Sequence, residues 1–253
     1  MRIVRYESDR GIGFGEMLDR EIRPLEGDLS DLRFARDERI PLERARLLAP
    51  VLPGKIVAVG VNYRDHAQEM GRQLPTEPLI FLKPPSAIND PEGAIEYPPQ
   101  TSRLDYEGEL AIVIGRKARK VSPTDAAKLI LGYTCMNDVT ARDLQARDVQ
   151  FTRAKGFDTF APLGPCVVTD VDPSDLAIET RLNGEVRQRS RTSQLIFKCP
   201  ELVSFVSNIM TLLPGDVIST GTPAGVGPMK PGDLVEVEIE RIGCLRSRVV
   251  AQQ

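Results

Sequence analysis

The sequence predicts an α+β fold, rich in β-strands, with a small N-terminal β/α domain over residues 1–50 and a larger domain over residues 51–253. Two observations lead to the class. Apolar runs of strand length recur at residues 55–61, 79–83, 110–114, 133–139 and 217–220, and the last third is β-rich. The helix patterns between these runs are few and short. A third observation sets the division: residues 50–54, Pro-Val-Leu-Pro-Gly, read as a boundary.

Composition narrows the class of protein. A chain of 253 residues, 41% hydrophobic and 27% charged, has the make-up of a soluble globular protein. Its net charge of −3, with arginines spread along the chain, argues against a nucleic-acid partner. Cys135, Cys166, Cys199 and Cys244 form no C-x-x-C pair, so buried thiols in a reducing cytoplasm are expected. Residues 1–7 lack the apolar core of a signal peptide, and no apolar run approaches the ~20 residues that span a bilayer. The expected location is the cytoplasm, away from membranes.

In the first unit, residues 3–6 are strand-like and Gly11-Ile12-Gly13-Phe14-Gly15 reads as a hairpin turn. No helix follows those glycines where a dinucleotide fingerprint needs one. Residues 41–48 pattern as a short amphipathic helix. After the 55–61 strand comes a helix with both ends marked: Asn62 as N-cap, Asp65 three residues on, and Gly71 at C′. His66 is the sole histidine of the chain, and Glu69 lies three residues on, on the same helix face. A lone histidine is commonly a surface or satisfied core residue. Beside a carboxylate, however, an imidazole gains a fixed tautomer and greater basicity, the make-up of a general base.

Residues 79–85 form a strand ended by prolines, and residues 91–99 read as loop. Next comes Leu104-Asp105-Tyr106-Glu107-Gly108-Glu109-Leu110, running into an apolar strand. Alternate side chains of a strand share a face, so Glu107 and Glu109 lie together with Gly108 opposite. Paired carboxylates repel and are costly to desolvate, and a hard divalent cation such as Mg²⁺, Mn²⁺ or Ca²⁺ satisfies both. The plainer reading is an edge strand with two solvated acids. Ser122, Pro123 and Asp125 open a helix that Gly132 ends, and Asp138 closes the next strand as a candidate third ligand. Residues 146–165 are polar and Gly/Pro-rich, and Lys155 within them reads by itself as a surface lysine. Asn183-Gly184 marks a hairpin, and residues 200–213 a helix with Leu202, Val203, Val206, Ile209 and Met210 inward. The glycine-rich loop at 221–227 offers either backbone N–H groups to an anion or a plain turn. Residues 234–240 and 244–250 make a terminal strand pair.

Together these residues resemble the fumarylacetoacetate hydrolase family. The motifs are Asn62-Tyr63-x-x-His66-x-x-Glu69, Phe81-Leu82-Lys83-Pro84, Glu107-Gly108-Glu109-Leu110, Asp138-Val139-Thr140-Ala141-Arg142-Asp143 and Thr220-Gly221-Thr222-Pro223, in order over residues 55–250. The resemblance is to the short-chain branch of acylpyruvases, fumarylpyruvate hydrolases, oxaloacetate decarboxylases and 2-hydroxyhepta-2,4-diene-1,7-dioate isomerases. It implies a mixed β-sandwich roll, a homodimer, and Mg²⁺ or Mn²⁺. It also implies metal ligation by Glu107, Glu109 and Asp138, a catalytic pair His66 and Glu69 on a lid helix, an active-site Lys155, and substrate contacts from Arg142, Gln145 and Thr222. The expected substrate is a 2-oxo or 2,4-dioxo acid. C–C hydrolysis stands first, with isomerisation or decarboxylation in aromatic-compound catabolism as the alternative; a non-catalytic binding protein on the same fold is the contrasting class.

Overall fold

A computed structural model describes residues 1–35 and 38–252. Its fold is α+β and strand-rich, with one large mixed sheet and a five-stranded sheet packed against it. The large sheet begins with an antiparallel meander, Arg2–Ser8, Gly11–Met17 and Glu21–Glu26. Arg2–Ser8 then pairs with Ala161–Val168, so the N-terminal strands continue into the rest of the sheet. From there the order runs through Ile130–Asn137, Gly108–Ile114, Val217–Ser219, Ile56–Gly60 and Leu79–Lys83. The five-stranded sheet takes Ala94–Tyr97, Gly243–Ala251, Leu234–Ile239, Ala177–Leu182 and Glu185–Arg191. No helix among the described residues is long and apolar enough to cross a membrane.

The Gly108–Ile114 strand is buried along its whole length because it separates two cores. Leu110, Ile112 and Ile114 face one, with Val57, Val203 and Ile218; Ala111 and Val113 face the other, with Ile56, Met136 and Val217. Each of the leucine, isoleucine and valine side chains, fully buried, contributes about 1.5–3 kcal/mol. That makes this strand a stable floor for the carboxylates at its start. Gly108 is required there: a Cβ at this position would lie 2.0 Å from Thr180 Oγ1 of the second sheet.

Several local expectations change. Residues 41–48 are not a helix. They form one 3₁₀ turn, Leu42–Arg44, and a strand, Arg46–Leu48, that pairs with Arg2–Ser8. An eight-residue helix is marginal by itself, and the ladder outcompetes it. The first hairpin turns at Asp9 and Arg10, so the glycines at 11, 13 and 15 lie within its second strand. Ala94–Tyr97 is a strand where loop was expected, and residues 146–165 contain a helical turn and the start of a strand. The helix opened by Ser122 ends at Ala127, and Gly132 lies inside the Ile130–Asn137 strand, tight against Val168. The 200–213 helix spans Cys199–Ile209; Leu202, Val203 and Val206 are buried, but Ile209 is exposed. Asn183-Gly184 does turn the hairpin between Ala177–Leu182 and Glu185–Arg191. Cys135, Cys166 and Cys199 are buried free thiols, and Cys244 is half-buried.

Candidate active site

The carboxylates gather where three chain segments meet. Glu107 stands at the break between the strands Leu104–Tyr106 and Gly108–Ile114. Antiparallel pairing sets Gly108 opposite Asn137, so Asp138, one residue beyond, lies beside Glu107, and its N–H donates to the Glu107 carbonyl at 2.8 Å. Glu107, Glu109 and Asp138 are buried, and each offers a carboxylate oxygen within 4.8 Å of the others.

Their surroundings differ. Lys155 ends the helical turn Thr152–Lys155 and is buried, not surface-exposed. Its Nζ donates to Glu107 Oε2 at 2.8 Å and Asp138 Oδ2 at 2.6 Å. Arg142 donates from Nη2 to Glu107 Oε1 at 2.5 Å and from Nε to the buried Asp105 at 2.8 Å. Burial pushes the Glu107 carboxyl up, but Lys155 and Arg142 outweigh it and hold it at about 2. Glu109 has no such partner. It accepts from Ser219 Oγ at 2.5 Å and from the Gly221 N–H at 2.8 Å, both on Oε2, and forms no ion pair among the described residues. Burial, then Asp138 and Glu107, raise it well above the ordinary carboxylate range. A buried all-oxygen set with one uncompensated acid fits a hard divalent cation.

The helix Arg64–Glu69 brings His66 to the same pocket as these acids. His66 Nδ1 lies 2.9 Å from Glu69 Oε2, which leaves Nε2 as the free ring nitrogen. Asn62 is not its N-cap. Tyr63 holds that position, and the Asn62 amide donates instead to the carbonyls of Thr220 and Phe197 and accepts from the Phe197 N–H. Gly71, at φ +61°, does close the helix, with N–H bonds from Gly71 to Gln68 and from Arg72 to Ala67.

One pocket of about 310 Å³ is lined by His66, Glu107, Glu109, Asp138, Arg142, Gln145, Lys155 and Thr222, with Val59, Leu79, Phe81 and Phe151 as apolar wall. Of the expected site residues only Glu69 stays outside the lining, reaching it through His66. The glycine-rich loop takes the protein's own acids: Gly221 N–H goes to Glu109, and Gly225 N–H to Glu69 at 3.1 Å.

Comparison with known proteins decides the family. Residues 55–250 match the fumarylacetoacetate (FAA) hydrolase C-terminal family, and residues 1–50 match the Rv2993c-like N-terminal family. The chain belongs to the fumarylacetoacetate hydrolase family. A crystal structure of 5-carboxymethyl-2-hydroxymuconate delta-isomerase from Mycobacterium smegmatis is 46% identical, with TM-score 0.94 and full coverage of both chains. The mitochondrial oxaloacetate tautomerase FAHD2A of Bos taurus is 44% identical over 89% of this chain and 77% of its own. A fumarylacetoacetate hydrolase structure from psychrophilic Exiguobacterium antarcticum is 39% identical, with TM-score 0.89 and full coverage of both chains. The protein is therefore an enzyme of this family's metal-dependent hydrolase and isomerase class.

Sequence reading did not single out Lys83, Asp105, Ser219 and Arg72. Asp105 orients Arg142, and Ser219 holds Glu109. Lys83 donates to Asp138 Oδ1 at 2.6 Å and to the Val139 carbonyl at 3.2 Å. One signal was visible: a lysine at the end of an apolar strand needs a buried partner. Arg72 lines the pocket, and its guanidinium forms no hydrogen bond or ion pair with a described residue.

Proposed function

We propose that this enzyme moves a proton within a 2-oxo dicarboxylic acid, interconverting enol and keto forms through an enolate at C2–C3. The observation that carries the reading is that the His66–Glu69 pair and the buried oxygen-donor triad serve a single pocket. A divalent cation held by Glu107, Glu109 and Asp138 would supply Lewis-acid polarisation of the substrate's C2 oxygen. Mg²⁺, Mn²⁺ and Ca²⁺ are the candidates, because the donors are all carboxylates.

The remaining steps fall to side chains. Burial lowers the Lys155 pKa, but Asp138 and Glu107 outweigh it and raise it, so Lys155 stays charged and donates to the developing oxyanion. In ketonisation His66 Nε2 takes the proton of the C2 hydroxyl and returns it to C3, so the substrate's protons balance; the reverse step runs the same transfer backwards. Glu69 holds the imidazole for both. Arg72, the cation of this pocket with no partner among the described residues, receives the distal carboxylate. The names of the isomerase and tautomerase relatives support placing proton transfer first.

C–C hydrolysis of a 2,4-dioxo acid is the second reading, favoured by the hydrolase structure at 39% identity. There His66 would deprotonate water for attack on C4, and the C3–C4 bond would break to release an enolate. A homodimer is proposed as well, supported by the exposed Leu82 and Val149 and tested by light scattering. The deciding experiment is a substrate panel followed by ultraviolet absorbance: enol oxaloacetate, 2-hydroxyhepta-2,4-diene-1,7-dioate, acetylpyruvate and fumarylpyruvate, each with Mg²⁺ and with EDTA. Metal-dependent loss of the enol band in the first two is expected. Turnover confined to the last two would favour hydrolysis, and no turnover of any would overturn both readings.

A further inference from the structure

Lys83 ends the Leu79–Lys83 strand, is fully buried and does not line the pocket. A buried ammonium is costly to desolvate and is kept only where partners satisfy it. Its place is behind Asp138. The Asp138 carboxylate is grasped on both oxygens, Oδ1 by Lys83 and Oδ2 by Lys155, each at 2.6 Å. The two lysines are not equivalent, because Lys155 lines the pocket and Lys83 does not. Asp138 also lies just beyond the end of its strand, where the pleat no longer dictates side-chain direction.

We propose that Lys83 is a positioning residue that holds Asp138 Oδ1 away from the pocket, so that Asp138 presents Oδ2 alone as a one-oxygen cation ligand. The inference rests on reading the triad as the cation site. It gives a role to the lysine of Phe81-Leu82-Lys83-Pro84, which the reaction itself does not use. A countercharge role makes the opposite forecast: a lysine serving only to balance the acids opposes a bound cation, and its removal would tighten binding.

The test is Mn²⁺ binding to full-length protein, followed by electron paramagnetic resonance without substrate, for wild type, Lys83→Met and Lys83→Arg. Melting temperature and kcat are measured alongside. Lys83→Met is expected to weaken Mn²⁺ binding ~10- to 100-fold, the range for losing a partner that orients a ligand. Lys83→Arg keeps charge and donors but changes their geometry, so it is expected to alter the line shape of bound Mn²⁺ with a smaller loss of affinity. If Lys83→Met does not fold, Lys83→Arg decides by line shape. Unchanged or tighter binding with an unchanged line shape overturns the positioning role, even where melting shifts. Wild type that binds no Mn²⁺ overturns the cation site itself, a separate outcome.

Discussion

The floor of the pocket and the helix that carries His66 are built by opposite rules. The floor acids sit on or at the ends of buried strands, and their oxygens are held by Lys83, Lys155, Arg142, Ser219 and a backbone N–H. The His66 helix has six residues, Arg64–Glu69, and mostly exposed chain follows it. It is tied down by Asn62 at its start, by Asp65 to Ser190 at 2.5 Å, and by Glu69 to the Gly225 N–H. A cation site needs fixed donors, whereas a group that moves protons needs reach to the substrate. Within the floor a second contrast appears: Glu107 is fully countered by cations, and Glu109 is not.

That second contrast yields the largest effects. Glu109→Gln is expected to lose divalent-cation binding and bring activity to background, yet leave the metal-free protein as stable as wild type or more so. It removes repulsion and strands no cation. Glu107→Gln is expected to lose the cation too, but also to destabilise the fold by about 3 kcal/mol or more, because Lys155 and Arg142 lose a buried partner. Calorimetric melting of both metal-free variants checks this; equal melting temperatures would erase the distinction between the two acids.

Floor and helix separate at the next step. His66→Ala is expected to slow proton transfer by ~10²–10⁴, the scale of general-base catalysis, with no change in Mn²⁺ affinity. Glu69→Gln is expected to lose less, ~10- to 100-fold, since it acts through His66. A fall in cation affinity in either variant would mean that helix and floor are one unit. The chain has a single histidine, so its NMR signal follows the imidazole directly in both.

The smaller effects concern pH and substrate. Glu109 is raised in the folded protein, so the metal-free fold holds a proton that the unfolded chain releases at lower pH. Its contribution to stability is therefore complete below the ordinary carboxylate range. It is lost as pH rises through the raised value. Cation affinity runs the other way, rising about tenfold per pH unit over that window as one proton is displaced; isothermal titration in two buffers of different ionisation enthalpy counts the proton, and none released would contradict the raised state. Arg72→Ala is expected to lower kcat/KM for dicarboxylic substrates ~10-fold, the scale of one charge-assisted hydrogen bond, and to spare monocarboxylic ones. Equal losses for both classes would remove Arg72 as the distal anchor.

The sequence by itself determined whatever depends on near neighbours. A period of two put Glu107 and Glu109 on one side of Gly108, a spacing of three put Glu69 beside His66, and Asn183-Gly184 could only turn. The order of motifs along the chain was enough to point to the family. The tertiary structure decided what depends on register between distant segments. Lys83 meets Asp138 across 55 positions of sequence, and Asn62 reaches Phe197 across 135. Residues 46–48 became a strand because Arg2–Ser8 lay alongside to pair with them. Glu107 and Glu109 look alike in sequence and took opposite charge environments, since which cation reaches which acid is set by the helical turn that carries Lys155 and by the first residue of the helix Arg142–Arg147. A side chain's local neighbours are written in its spacing; its counter-ion is chosen by how separate strands pack.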